Sequence, residues 1–327
     1  MIISKTPFRI SFFGGGTDYP AWFEKNGGAV LSTTIDKYCY ITVRYLPPFF
    51  KHKHRIVYSL IESVRSIKEI QHPVVRALME MFKVSKGLEI HHDGDLPARS
   101  GLGSSSAFTV GMLNAMQALN GNIISKVDLA KEAIRIEREV LKENVGSQDQ
   151  VAVAYGGFKK IIFHNDHSFR VEPMTLHKKR FEELQSHLML VFTGLSRFAS
   201  KIAADQIKNT KHNKKALSVM HQMVDEAVDI LNSNKNLEEF GKLLHQSWLI
   251  KKSLSNKISN SEVDSLYEKA LKYGAIGGKL LGAGGGGFML LFVKPEDRGN
   301  VAKGLKDFLE VKFNFESEGS QIIYYNP

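Results

Sequence analysis

The chain has 327 residues, 43% of them apolar, and a formal net charge of +10. This length exceeds what one compact core usually needs, so we expect two globular domains. No apolar run is long enough to span a membrane, and the N-terminal segment lacks the features of a secretory signal, which indicates a cytoplasmic protein. The single cysteine, Cys39, excludes an internal disulfide and a multi-thiolate metal site.

The basic charge is compatible with nucleic acid, an anionic membrane or small anionic substrates as partners. The densest basic runs, at 51–55, 177–180 and 208–215, are short, scattered and not interleaved with aromatic residues. Because nucleic-acid sites combine basic with stacking aromatic side chains, these runs favour a solvated surface. We therefore expect neither nucleic acid nor a membrane as a partner, and the sequence does not decide between a monomer and a homodimer.

Hydrophobic periodicity predicts helices and strands without regular βαβ alternation. In chain order it predicts strands over 29–45 and 88–92, helices over 105–119 and 128–143, strands over 158–163 and 188–192, helices over 198–232, 237–254 and 261–273, and a strand over 287–293. This mixture is typical of an α+β fold.

The segment "PARSGLGSSSA", residues 97–107, places two glycines and three serines before a predicted helix. Small residues share one face of that helix and predict close packing on a sheet: Ala107, Gly111, Ala115 and Ala118. A helix N-terminus offers unpaired N–H groups, and glycines let the preceding loop curl around an anion. The pattern is compatible with a phosphate cradle, and a turn capped by Ser104 or Ser105 stays open as an alternative.

Other phosphate and nucleophile motifs fit the chain poorly. A Walker-type G-x-x-x-x-G-K-[ST] motif is absent, and "GAGGGG" at 282–287 has helix-like residues before it and a strand after it, the reverse of a dinucleotide site. "GSSSA" at 103–107 is near the G-x-S-x-G motif of serine hydrolases. Because the preceding strand ends some residues earlier, with Pro97 between, the turn is too long for a strained nucleophile elbow.

Three segments, "KTPFRISFFGGGTDYP", "PARSGLGSSSA" and "KLLGAGGGGFMLL", resemble in order and spacing the three motifs of the GHMP kinases, and "VGSQDQ" lies between the last two. The resemblance spans almost the whole chain. It implies an N-terminal ribosomal-protein-like α+β domain over 1–185, a C-terminal ferredoxin-like α+β domain over 186–327, and an active site between them. It also implies ATP and Mg²⁺ as cofactors.

Within that family the chain looks most similar to the kinases of D-glycero-D-manno-heptose 7-phosphate, through "PFRISFFGGGTDYP", "ENVGSQDQVAVAYGGF" and "TGLSR". Those enzymes phosphorylate the anomeric hydroxyl on the way to nucleotide-activated heptose for surface polysaccharides such as capsule or lipopolysaccharide. The first motif reads Gly-Gly-Gly-Thr-Asp where galactokinases have G-E-H-x-D, which argues against a galactokinase. Alternatives are a fucokinase-like kinase of a neutral sugar and, more remotely, a serine hydrolase or a nucleic-acid-binding protein.

The resemblance assigns catalytic and substrate roles to four residues. Asp149 matches the catalytic aspartate that accepts the proton of the attacking hydroxyl. Arg9 matches the basic residue beside that aspartate, which helps neutralise transition-state charge. Asp18 matches the aspartate that hydrogen-bonds the sugar hydroxyls, and Thr17 is expected to help it.

The resemblance also assigns the nucleotide and metal sites. The residues expected to wrap the triphosphate are Gly101, Leu102, Gly103, Ser104, Ser105 and Ser106. Ser105 matches the hydroxyl that meets Mg²⁺, and a hard cation needs an acidic oxygen as well. Glu137 lies on an apolar helical stripe, where a carboxylate is unusual, and matches the metal glutamate of the family. A structural ion pair with an arginine is the alternative reading of Glu137.

The third motif and one arginine complete the predicted substrate site. Gly284, Gly285 and Gly286 are expected to line it, because a side chain there would intrude. Arg197, in "TGLSRFA", follows a predicted strand and opens a helical pattern. From that position a guanidinium could hold a phosphate of the substrate in a bidentate manner.

Overall fold

The computed structural model describes residues 1–194, 199–210 and 212–327. Its larger sheet has nine strands: β1 Ile2–Phe13, β2 Gly28–Tyr45, β3 His54–Val57, β4 Ile61–Val64, β5 Leu88–Gly94, β6 Lys159–Phe163, β7 Phe169–Pro173, β12 Phe315–Glu316 and β13 Gln321–Tyr325. Six of them form a continuous path in the order β13-β1-β2-β5-β3-β4. The other three branch from it, because β12 and β6 pair with β2 and β7 pairs with β6.

A second, four-stranded antiparallel sheet has the order β11-β8-β10-β9. Its strands are β8 Leu188–Phe192, β9 Ala275–Leu280, β10 Phe288–Val293 and β11 Leu309–Val311. After this sheet the chain returns to the first one, because β12 and β13 pair with β2 and β1. The domain boundary at residue 185 stays a prediction.

Helices cover the two sheets. They are α1 Pro20–Asn26, α2 Pro73–Met81, α3 Ser104–Leu119, α4 Lys126–Arg135, α5 Gln148–Tyr155, α6 Lys178–Ser186, α7 Ala199–Lys208, α8 Lys214–Asn232, α9 Glu238–Ser253, α10 Ser261–Lys272 and α11 Arg298–Gly304. Within the described ranges, no helix combines the length and apolar character that crossing a bilayer requires. The α+β class expected from the periodicity is confirmed.

Several predicted elements differ in detail. The helix expected over 198–232 is two helices, because α7 ends at Lys208 and α8 begins at Lys214. The helix expected over 128–143 changes to a π-helical turn over Ile136–Val140. The residues before "GAGGGG" form strand β9, not a helix, and two glycines in β9 made the strand hard to recognise from side-chain pattern.

Helix α3 packs on β1 and β2 through its small face, as expected from the sequence. A Cβ atom added to Gly111 would lie 2.8 Å from Oγ1 of Thr6, so only glycine permits this close approach. The hydroxyl of Ser4 donates to the Gly111 carbonyl at 2.8 Å. The sheet therefore fixes the helix whose N-terminus carries the glycine- and serine-rich loop within residues 97–107, here called the serine loop.

The second and third glycine-rich segments touch each other backbone to backbone. Gly101 has a φ of +85°, and a Cβ atom there would lie 2.4 Å from the Leu281 carbonyl oxygen. In the other direction, a Cβ atom on Gly282 would lie 2.5 Å from the Gly101 Cα. The amide of Phe288 donates to the Ser100 carbonyl at 3.1 Å. These contacts join the second sheet to the serine loop.

Helix α9 is predicted to depend on glycine for its contact with β9. A Cβ atom on Gly277 would lie 2.1 Å from the Gly241 carbonyl oxygen of α9. We expect Gly277→Ala to lower the free energy of unfolding by about 1–3 kcal/mol because backbone must move. Gly299→Ala in α11, where an added Cβ meets nothing within 4 Å, is the control. Equal urea midpoints for the two variants would contradict this packing argument.

Candidate active site

Arg9 and Asp149 form a bidentate ion pair between β1 and α5. Arg9 Nε donates to Asp149 Oδ1 and Nη2 donates to Oδ2, each at 2.8 Å. Arg9 is buried, whereas the Asp149 side chain keeps 26% of its surface exposed. The fork of the guanidinium fixes the plane of the carboxylate and leaves its outer lone pairs available. Asp149 lies in the first turn of α5, where the helix dipole favours a negative charge.

Arg9 also holds the serine loop. Its Nη1 donates to the Gly101 carbonyl at 2.7 Å, and its backbone amide donates to the Leu102 carbonyl at 2.9 Å. Leu102 itself is fully buried and anchors the loop in the core. One arginine thus sets the distance between the loop and the Asp149 carboxylate.

Asp18 lies next to this pair on the loop that follows β1, and it is buried. Its Oδ1 accepts from the Gly16 amide at 2.9 Å and its Oδ2 from the Gln148 amide at 3.3 Å. Burial and the nearby Asp149 carboxylate raise the pKa of Asp18. Asp18 and Asp149 therefore lie close enough for their charges to interact, and the expected contact of Asp18 with the sugar stays a prediction.

The hydroxyl of Thr17 is used within the protein. It donates towards the Gly14 and Ala29 carbonyls at 2.8 and 2.9 Å and accepts from the Ala29 amide at 3.2 Å. This arrangement holds the first glycine-rich loop against β2. The expected contact of Thr17 with substrate stays a prediction.

The serine loop ends at the N-terminus of α3. Gly103 is the N-cap, and no side chain in the described part of the chain caps this end. The amides of Ser104, Ser105 and Ser106 are therefore available to an anion at the positive end of a 16-residue helix. The Ser104 hydroxyl closes the loop by accepting from the Arg99 amide at 3.1 Å.

Glu137 is buried in the π-helical turn after α4 and faces the serine loop. Its Oε2 accepts from Ser106 Oγ at 3.1 Å and from Gln150 Nε2. Burial raises the pKa of Glu137 to about 7, although hydrogen bonds oppose the shift. Its Oε1 is buried without a hydrogen-bond partner among the described residues. The ion pair with an arginine that we considered for Glu137 is not found within the described residues.

The structure brings Ser106, and not Ser105, to Glu137. Ser105 is exposed at the start of α3, while Ser106 is buried one residue further on. Sequence reasoning missed Ser106 as a partner of the glutamate. The assignment of Ser105 to a metal stays a prediction.

The third glycine-rich segment is buried against the turn before α10. The Gly285 amide donates to the Ile258 carbonyl at 2.8 Å, and Asn260 Nδ2 donates to the Gly285 carbonyl at 3.2 Å. A Cβ atom on Gly284 would lie 2.7 Å from the Ile258 Cα. Close backbone packing accounts for Gly284 and Gly285. The expected contact of Gly284, Gly285 and Gly286 with substrate stays a prediction.

Comparisons with known proteins agree with this geometry. Residues 67–157 match the family described as "GHMP kinases N terminal domain" and residues 226–311 match "GHMP kinases C terminal". A D-glycero-alpha-D-manno-heptose 7-phosphate kinase of Campylobacter jejuni is 31% identical, with 97% of each chain covered. The chain belongs to the GHMP kinase family.

Further relatives support the same family. A bifunctional fucokinase/GDP-fucose pyrophosphorylase of Arabidopsis thaliana is 26% identical over 95% of this chain and 31% of that longer protein. A solved structure titled a D-glycero-D-manno-heptose 1-phosphate kinase, from Bacteroides thetaiotaomicron, covers 100% of both chains with a TM-score of 0.82 and 24% identity. The two-domain GHMP kinase fold is thereby confirmed, and the protein is an ATP-dependent sugar kinase. The serine hydrolase alternative is wrong.

Two buried lysines of this GHMP kinase were missed by the sequence reasoning. Lys251 of α9 and Lys279 of β9 lie close enough to Arg9 and Asp18 for their charges to interact. A signal for Lys251 was present, because it follows the buried Phe240, Leu244 and Trp248 on one stripe of α9. The argument that singled out Glu137 would have found it. Arg197 lies outside the described residues, so its role stays a prediction.

Asp149→Asn tests the proton acceptor, because the amide keeps the shape of the carboxylate and loses its basicity. We expect kcat to fall by roughly 10²- to 10⁴-fold while ATP affinity stays nearly constant. Steady-state kinetics and ATP titration measure the two quantities. Asp225→Asn, at an exposed carboxylate paired with Lys160, is the control. Wild-type kcat in Asp149→Asn would contradict the assignment.

Proposed function

We propose that this GHMP kinase phosphorylates the anomeric hydroxyl of D-glycero-D-manno-heptose 7-phosphate with ATP, in the cytoplasm, for surface polysaccharide synthesis. The observation that carries the proposal is the match to the Campylobacter jejuni enzyme along 97% of both chains. The net charge of +10 is in keeping with two anionic substrates, ATP and a sugar phosphate.

The two heptose kinase names differ in the position of the existing phosphate. The curated relative is named a heptose 7-phosphate kinase, and the solved structure is titled a heptose 1-phosphate kinase. At 24% identity the second supports the fold alone, so we give the first more weight. The fucokinase-like alternative, a kinase acting on a neutral sugar, is supported by the relative from Arabidopsis thaliana.

In the proposed reaction Asp149 accepts the proton of the anomeric hydroxyl. The sugar oxygen forms a bond to the γ-phosphorus of ATP, and the bond from that phosphorus to the β,γ-bridging oxygen breaks, which releases ADP. Arg9 holds the Asp149 carboxylate in place at 2.8 Å, and the amides at the start of α3 receive phosphate oxygens. Asp18 orients the sugar by accepting hydrogen bonds from its hydroxyls.

The residues around Glu137 fit a magnesium ion. The buried Oε1 of Glu137 lacks a partner in the described part of the chain, and Oε2 accepts from the Ser106 hydroxyl in the first turn of α3, where Ser105 is exposed. The described residues contain no cluster of three or more acidic, histidine or cysteine side chains. Mg²⁺ in proteins commonly takes few protein ligands and completes its shell with phosphates and water. When bound, it would neutralise charge on the phosphates.

Variants of the two serines and the glutamate test this metal site. We expect Glu137→Gln to raise the Mg²⁺ concentration needed for half-maximal activity, with partial rescue at high Mg²⁺, because a charged oxygen ligand is lost. Ser105→Ala and Ser106→Ala, compared in the same titration, identify which hydroxyl contributes. Unchanged activity of Glu137→Gln at limiting Mg²⁺ would mean that the glutamate is structural.

A substrate panel tests the proposed function. With Mg²⁺ and ATP fixed, we compare kcat/KM for heptose 7-phosphate, heptose 1-phosphate, free heptose and fucose, and locate the new phosphate by ³¹P NMR. A charge-assisted contact to the remote phosphate corresponds to a preference of roughly 10- to 150-fold for heptose 7-phosphate over free heptose. A neutral sugar that equals or exceeds the phosphorylated one would replace the proposal with the fucokinase-like reading.

A further inference from the structure

We propose that Lys251 and Lys279 are positioning residues for the kinase reaction. Lys251 holds the third glycine-rich segment, Lys279 holds the first, and both bring positive charge close to Asp18. The inference rests on the proposed role of Asp18 in binding the sugar. In this proposal neither lysine touches the substrate or the metal.

Lys279 connects the two sheets. It lies on β9 of the smaller sheet, is 3% exposed, and its Nζ donates to the Phe12 carbonyl of β1 at 2.7 Å. Phe12 lies two residues before the first glycine of the loop that carries Asp18. The ammonium therefore anchors the base of that loop to the other sheet.

Lys251 anchors the third glycine-rich segment. Its Nζ donates to the Leu280 carbonyl at 2.9 Å and to the Gly282 carbonyl at 2.6 Å. Gly282 is the residue whose backbone packs against Gly101 of the serine loop. The Lys251 ammonium therefore supports the contact between the third segment and the nucleotide loop.

Burying two ammonium groups is costly, and a long apolar side chain would normally be favoured in such positions. Burial lowers the pKa of Lys251 to about 7 and the pKa of Lys279 well below its ordinary value. The Lys251 charge lowers the pKa of Lys279 further, the Arg9 charge lowers the pKa of both lysines, and the Asp18 carboxylate raises both. The presence of lysine at both positions is explained if the ammonium charge stabilises the Asp18 carboxylate.

A Coulomb interaction acts equally on both partners, so each lysine, when it carries its ammonium charge, acts to lower the pKa of Asp18. It opposes burial and the Asp149 carboxylate, which raise that pKa. Among the described residues, Arg9 and the Tyr19 hydroxyl also lie in this group of interacting charges, and burial raises the pKa of Tyr19 so far that it stays neutral. Bound ATP adds negative charge, which favours the ammonium form of both lysines. The pair thus helps Asp18 to stay ionised as an acceptor for sugar hydroxyls.

The test replaces each lysine by methionine, which keeps length and removes charge. We expect Lys251→Met and Lys279→Met to lower kcat/KM about 10- to 100-fold, as for loss of a charge-assisted contact, and to move its acid limb to higher pH. The sign follows because Asp18 without its positive neighbours binds a proton at higher pH. Lys252→Met, on the same helix but paired with Asp264 at 2.5 Å, should keep wild-type kcat/KM and its pH profile.

Two further measurements separate positioning from folding. Lys251→Arg keeps the charge and donors, so we expect it to restore the acid limb, and most of kcat/KM, relative to Lys251→Met. Thermal unfolding identifies variants that are folded at the assay temperature. If Lys279→Met does not fold, the comparison of Lys251→Met with Lys251→Arg decides alone.

Wild-type kcat/KM and an unmoved acid limb in folded Lys251→Met would overturn the inference. An equal loss of kcat/KM in Lys251→Met and Lys251→Arg would also overturn it, because that result indicates an effect of packing and not of charge. The assay uses whichever acceptor the wild-type enzyme phosphorylates best, so failure of the heptose assignment leaves this test intact. Asp18→Asn is measured in parallel: if it alone lowers kcat/KM, Asp18 keeps its role and the lysines lose theirs.

Discussion

The active site is organised by the buried guanidinium of Arg9. It holds both oxygens of Asp149 at 2.8 Å and the Gly101 carbonyl at 2.7 Å, and its backbone amide holds Leu102. Since Arg9 lies on β1, where it pairs with Thr34 of β2, the larger sheet fixes the Asp149 carboxylate and the serine loop together. A lysine could not make these three contacts at once, because it lacks the planar fork.

Around this arginine the protein buries an unusual set of charged groups. Asp18, Glu137, Lys251 and Lys279 are each less than 10% exposed, and burial shifts the pKa of every one of them towards its neutral form. Such shifts cluster at functional sites because substrates complete the charge balance there. A site that receives ATP benefits from buried positive charge, which Arg9 carries and which the two lysines carry in their ammonium form.

The sequence predicted the parts of the fold that depend on local pattern. Helix α3, strand β5 and strand β10 were predicted within a few residues of their observed bounds, because each is a well-delimited apolar or small-residue segment. Strand β9 and helix α5 were missed, because their side-chain patterns are weak. Strand β9 contains Gly277, which packs against the α9 backbone. Helix α5 is only eight residues long. Helices α7 and α8 are separated by the polar stretch 209–213, which contains no glycine or proline to mark the break in the sequence.

For the site, the resemblance supplied residue identities and the structure supplied their neighbours. The approach of Arg9 to Asp149 joins residues 140 positions apart, and that of Lys279 to Phe12 joins residues 267 apart. No local pattern encodes such pairs. The serines illustrate the same limit at short range: Ser105 and Ser106 are adjacent and chemically identical, and only the rotation of α3 decides that Ser106 meets Glu137 while Ser105 faces solvent. A bound cation that needs both hydroxyls would require the first turn of α3 to adjust, because successive residues of a helix point about 100° apart.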